Sequence, residues 1–72
     1  MKLIKEIRVE EKQIDGRVET RIYCKSGEVV NGIEPEEKIA RSVSYGVGDE
    51  SKKVQLVDVF IERYIKSGFK KV

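Results

Sequence analysis

LIKEIRVEEKQIDGRVETRIYCK, residues 3–25, is the stretch on which the fold turns. Asp15-Gly16 sits at its middle, and Asp-Gly is a strong two-residue hairpin turn because both residues tolerate positive φ. Closing the chain there pairs Lys12 with Glu19, Glu10 with Arg21 and Glu6 with Lys25, three opposite-charge pairs on one face. The other face pairs Val9 with Ile22 and Ile7 with Cys24. Such charge pairs contribute about 0.2–1 kcal/mol each, and a slip of one residue would send the apolar set to the wrong face.

Ser26-Gly27 reads as a second hairpin turn, pairing Lys25 with Glu28 and Cys24 with Val29. Strands are therefore expected at 3–14, 17–25 and 28–33, with the second in the centre. The inner face would carry Leu3, Ile7, Val9, Val18, Ile22, Cys24, Val29 and Ile33.

Glu34-Pro35-Glu36-Glu37 has the character of a helix start, with Pro at the first helical position and acids at the positive end of the dipole. A short helix over 35–45 follows, with Ile39 and Val43 one turn apart. A longer helix is expected over 51–67. Val54, Val57, Ile61, Tyr64 and Ile65 share its stripe, and Leu56 and Phe60 widen it. Gly68 followed by Phe69 has the form of a Schellman terminator with its apolar contact. The expected fold is α+β: a three-stranded antiparallel meander followed by two helices (βββαα), the longer C-terminal helix packed on the sheet, in one domain spanning 1–72.

At 72 residues, with 39% hydrophobic and 39% charged, the core is thin and the surface heavily charged. A single cysteine rules out an internal disulfide, and a lone thiol suits a reducing cytosol. No apolar run reaches the length of a membrane span, and the expected location is cytoplasmic. The net charge of +2 is too small to imply a nucleic-acid partner.

Catalytic groupings are missing from the chain. There is no histidine, hence no common general base or imidazole metal ligand, and the carboxylates have cross-strand partners or lie at helix starts. Cys24 falls on the inner face, where a cysteine behaves as a small hydrophobe. Gly46-Val47-Gly48 before a helix lacks the leading strand of a phosphate loop, and Asp49 and Glu50 occupy the place of an anion. No enzyme activity, cofactor, metal or small-molecule substrate is expected.

Two binding surfaces remain. An interaction surface would use Tyr23 and Val30, taken as cross-strand neighbours on the outer face, together with Leu56, Val59 and Phe60 on the broad helix stripe. The edges of strands one and three could accept an added strand. A nucleic-acid surface would use Arg8, Arg17 and Arg21 on the sheet, or Lys52, Lys53, Lys70 and Lys71 in the C-terminal part. Residues 34–65 resemble the two helices of ribbon-helix-helix repressors, with Pro35-Glu36-Glu37 opening a short helix and Ser51 opening one that ends in Glu62-Arg63-Tyr64-Ile65. The resemblance covers less than half of the chain, carries over no binding residues, and implies a small DNA-binding regulator. The leading expectation is a non-enzymatic protein that acts through protein–protein interaction as a homodimer, by helix two or a sheet edge.

Overall fold

The computed structural model describes residues 2–72, and its frame is the hairpin read above. β1 (Lys2–Ile14) and β2 (Arg17–Val29) pair antiparallel over their whole length. Glu10 stands opposite Arg21, Val9 opposite Ile22 and Ile7 opposite Cys24, the expected register. Asp15 (φ 48°) and Gly16 (φ 76°) both take positive φ, as a type I′ turn requires. Thirteen-residue strands span about 43 Å at 3.3 Å per residue, which matches the molecule's longest dimension of 45 Å.

The second expected turn is absent. β2 runs straight through Ser26 and Gly27, so Lys5 pairs with Ser26, Ile4 with Gly27, Leu3 with Glu28 and Lys2 with Val29. The chain reverses instead at Asn31-Gly32, both with positive φ (54° and 76°), closed by reciprocal main-chain bonds between Val30 and Ile33. Asn accepts a left-handed backbone far more readily than Ser, and a turn at 26–27 would have left the start of β1 without a partner. Val29 consequently lies on the outer face, Ile33 is exposed, and Leu3 projects beyond the core although it shares the inner face.

No helix forms over 35–45. That segment supplies β3 (Lys38–Gly46), the third sheet strand in place of 28–33. Ser42-Val43-Ser44-Tyr45 alternates polar and apolar residues, and this period of two outweighs the helix-start character of Pro35-Glu36-Glu37. Residues 34–37 form a strap over the outer face. Pro35 lies against Gly27, Glu34 pairs with Lys25 (3.2 Å) and Glu37 with Arg8 (2.7 Å). Beneath it Ile4 is buried on what would otherwise be an open face.

Gly27 is the residue that permits the strap. Its φ of 144° disfavours any side chain, and a Cβ there would meet Pro35 at 3.2 Å. Gly27→Ala is expected to cost about 1–3 kcal/mol and to lower the melting temperature by roughly 5 °C or more, measured by thermal circular dichroism. Gly16→Ala, with open space around it, would lose only the turn's backbone preference.

One helix, α1, runs over 50–66. It has a regular turn (Glu50–Lys53), a π-helical segment (Val54–Asp58) and a regular segment (Val59–Lys66). The Asp49 side chain caps its N-terminus, accepting from the Lys52 N–H at 3.2 Å. Its C-terminus is a Schellman motif. The Phe69 N–H donates to the Tyr64 carbonyl and the Gly68 N–H to that of Ile65, and the Phe69 and Tyr64 rings meet edge-to-face at 4.9 Å. Two further residues, Lys70–Lys71 (β4), then pair parallel to Glu6 and Ile7, completing a mixed sheet of order β3-β2-β1-β4.

α1 covers the inner face. Ile7 and Ile22 are fully buried with Tyr45, Val57 and Ile61, and Leu56, Phe60, Tyr64 and Phe69 pack around them. A π turn inserts one extra residue, and 56, 57, 60, 61 and 64 all contact the core. The broad stripe is thus mostly spent on the sheet, leaving Val54, Val59 and Ile65 exposed. The chain is α+β, with four mixed strands and one helix. No helix is long and apolar enough to cross a membrane among the described residues.

Candidate functional site

β3 forms one edge of the sheet, and its register determines what that edge presents. The Val47 N–H donates to the Gly16 carbonyl at 2.9 Å. In an antiparallel ladder, hydrogen-bonded pairs alternate, so Tyr45, Val43 and Arg41 turn their main-chain groups toward β2. The main-chain groups of Ser42 and Ser44 therefore point away from the sheet. Both serines are exposed.

Edge strands ordinarily carry lysine, proline or a bulge that blocks further pairing. β3 has such guards only at its start, in Lys38 and a bulge at Ala40, where Ile22 pairs with Arg41 but Tyr23 pairs with Ile39. From Ser42 to Gly46 it has none. On the opposite edge β4 covers only Glu6 and Ile7, the Val72 N–H donates to the Ile7 carbonyl, and Lys5 lies beside Phe69. From Arg8 to Ile14 no strand pairs there among the described residues, and that stretch carries Glu10, Glu11 and Lys12.

The bulge also changes which side chains face the helix. It puts Ile39 on the outer face, while Arg41 faces inward in phase with Val43 and Tyr45, and its guanidinium stacks on Phe60 at 5.0 Å. Arg41 Nε is buried and has no hydrogen-bond partner among the described residues. Four residues on, Tyr45 is buried and donates its hydroxyl to Glu11 Oε1 at 3.1 Å, with the buried Thr20 hydroxyl 3.5 Å away. One edge strand therefore holds a guanidinium with one buried, unpartnered nitrogen and, four residues along, a tyrosine whose hydroxyl reaches across β2 to the Glu11 carboxylate on β1. Sequence reasoning singled out neither Arg41 nor Glu11.

The interaction residues expected from sequence are scattered. Tyr23 is half-buried under the Arg8 guanidinium (4.3 Å) and stands between Arg8 and Ile39, while Val30 is exposed in the Asn31-Gly32 turn and bridges Ile33. They are not neighbours. Leu56 and Phe60 join the core margin, and Val59 is exposed on the far side of α1.

The expected nucleic-acid residues are also separated. Arg8 is tied to Glu37 and Glu10, Arg17 donates to the Ser44 hydroxyl, and Arg21 faces Glu10. Lys52 and Lys53 sit at the start of α1, roughly 20 Å along the helix from its end. Lys70 lies beyond that end, where it joins Lys2 and Lys5 around an open cleft of about 260 Å³, shared with Glu6 and Glu34. Lys71 is its neighbour in β4.

Cys24 is partly buried on the inner face, and burial pushes its thiol pKa up, away from the thiolate a nucleophile needs. Among the described residues no three acidic or thiol side chains are grouped to hold a metal ion.

The strap has its own titration. Hydrogen bonding to Arg8 holds the Glu37 carboxyl below the usual glutamate range. A depressed folded-state pKa adds stability above the unfolded value and loses it as pH falls through the lowered one. Carboxyl ¹³C titration is expected to place the Glu37 midpoint below that of a glutamate in an unfolded peptide. In Arg8→Gln the midpoint returns toward that value.

No family model, curated protein or solved structure matches this chain.

Proposed function

We propose that this protein is a small non-enzymatic binding domain that acts by accepting a strand on the free edge of β3, and that it pairs there with a second copy of itself. The observation that carries this reading is the unguarded run from Ser42 to Gly46, in which the main-chain groups of Ser42 and Ser44 turn outward. The thin core supports it. Among the described residues six apolar side chains are buried, and strand addition is an economical way for so small a domain to gain stability.

Light scattering coupled to size exclusion tests the reading on the wild-type chain. A dimer at tens of micromolar is expected, with a melting temperature that rises with protein concentration because only the folded form associates. A chain that stays monomeric at high micromolar concentration, with a concentration-independent melting temperature, would overturn it.

A further inference from the structure

We propose that the turn and the strap, residues 30–37, open together as one unit while the rest of the sheet and α1 stay folded. The proposal is independent of the edge-pairing reading and concerns the other end of β3.

The strap is tied to the sheet by side chains alone. Among the described residues, no main-chain hydrogen bond joins residues 34–37 to β2. The flanking main-chain ties are the two bonds between Val30 and Ile33 at one end and the pairing of Lys38 with Cys24 at the other. Between them stand Glu34 on Lys25 at 3.2 Å, the Arg8 fork on Glu37 at 2.7 and 3.1 Å, and Pro35 on Gly27. Both ion pairs reach solvent, where water and salt weaken them. Pro35 is half-buried and the other three strap residues are exposed, so the strap hides little besides Ile4.

β2 is incompletely paired beside it. The main-chain groups of Thr20 and Ile22 bond to β3, and the same alternation turns those of Ser26 and Glu28 to that side. There they meet the strap rather than a strand, and Pro35 has no N–H to offer.

The same geometry makes the segment move as a unit. From Ile33 to Lys38 the chain takes five steps beside six of β2, so it runs close to fully extended. Without slack, the middle cannot lift alone. Release of Glu37 carries through to the Val30–Ile33 bonds, and the turn swings out with the strap. Opening bares Ile4 and the outer face of β2 from Lys25 to Val29.

Native-state amide exchange, followed by NMR on the whole chain, tests this. The Val30 and Ile33 N–H groups report the opening, and those of Thr20 and Ile22 report the core. In the wild type, Val30 and Ile33 are expected to exchange at least about tenfold faster, at rates nearly flat in low urea while the core amides speed up. Glu37→Gln, at the far end of the strap, is expected to speed Val30 and Ile33 about three- to tenfold, because the opening breaks its ion pair with Arg8. Val57→Ala, in the core under α1, is expected to speed Thr20 and Ile22 and to leave Val30 and Ile33 unchanged. No response of Val30 and Ile33 to Glu37→Gln would mean that the turn frays by itself, and would overturn the proposal. Exchange of all four amides in step, in urea or in Val57→Ala, would show whole-chain unfolding alone and overturn it equally.

Discussion

Replacing Ile22 with alanine is expected to destabilise the fold by about 2–5 kcal/mol, the largest effect of any single truncation in the chain. Ile22 is fully buried, stands opposite Val9 on one side and Arg41 on the other, and lies at the centre of the cluster with Ile7, Tyr45, Val57 and Ile61. The sheet is a single layer under one helix, so there is little around the site to collapse into the space. Small domains have total stabilities near the lower end of about 5–15 kcal/mol, and the loss takes a large share of it. The melting temperature should fall by more than 10 °C. The control is Ile33→Ala: Ile33 is 72% exposed, and its truncation should stay within about 0.5 kcal/mol of wild type. Urea denaturation of the two variants makes the comparison, and equal midpoints would contradict the core assignment.

The second large effect separates association from folding. Ser44→Pro removes an N–H that makes no bond to β2 and places a ring on the outward edge. Proline is tolerated at such edge positions, so the secondary structure seen by far-ultraviolet circular dichroism should persist. The small loss is the bond that the Arg17 Nε makes to the Ser44 hydroxyl at 3.1 Å. Association should suffer far more. By symmetry the substitution strikes the interface twice, and a loss of about 3 kcal/mol corresponds to a dissociation constant raised roughly a hundredfold. A dimer of undiminished affinity would place the interface elsewhere.

The hairpin of β1 and β2 was legible because local and pairwise signals agree. Asp15-Gly16 defines the turn, and the alternating charges exclude every register but one. The end of α1 was legible for the same reason, since Gly68 and Phe69 supply both the left-handed residue and the apolar contact. β3 was obscured by a conflict between levels. Pro35-Glu36-Glu37 has the local character of a helix start, but the Asn31-Gly32 turn and the Ser-Val-Ser-Tyr alternation make the following residues a strand. Asn-Gly is a stronger turn than Ser-Gly, and giving it that weight would have extended β2 to Val29 and moved the edge to 38–46.

The candidate site was correspondingly less visible. Free sheet edges are expected on strands 3–14 and 28–33, and the second of these instead forms the end of β2 and the turn. Ile39 could not have been placed by periodicity, because the bulge at Ala40 breaks the alternation and puts Ile39 on the outer face, while Arg41 stays inward in phase with Val43 and Tyr45. Glu11 enters the site only through the Tyr45 hydroxyl, a contact 34 residues apart in sequence. The surplus apolar surface assigned to the helix is smaller than its pattern suggested. The π-helical segment brings Leu56 and Phe60 onto the sheet as well as Val57 and Ile61.

Self-pairing of the β3 edge is the central claim, and the mass of the wild-type chain in solution tests it most directly. Sedimentation equilibrium across a range from low to high micromolar should give a mass rising from one chain to two. A mass that remains that of one chain throughout would contradict it.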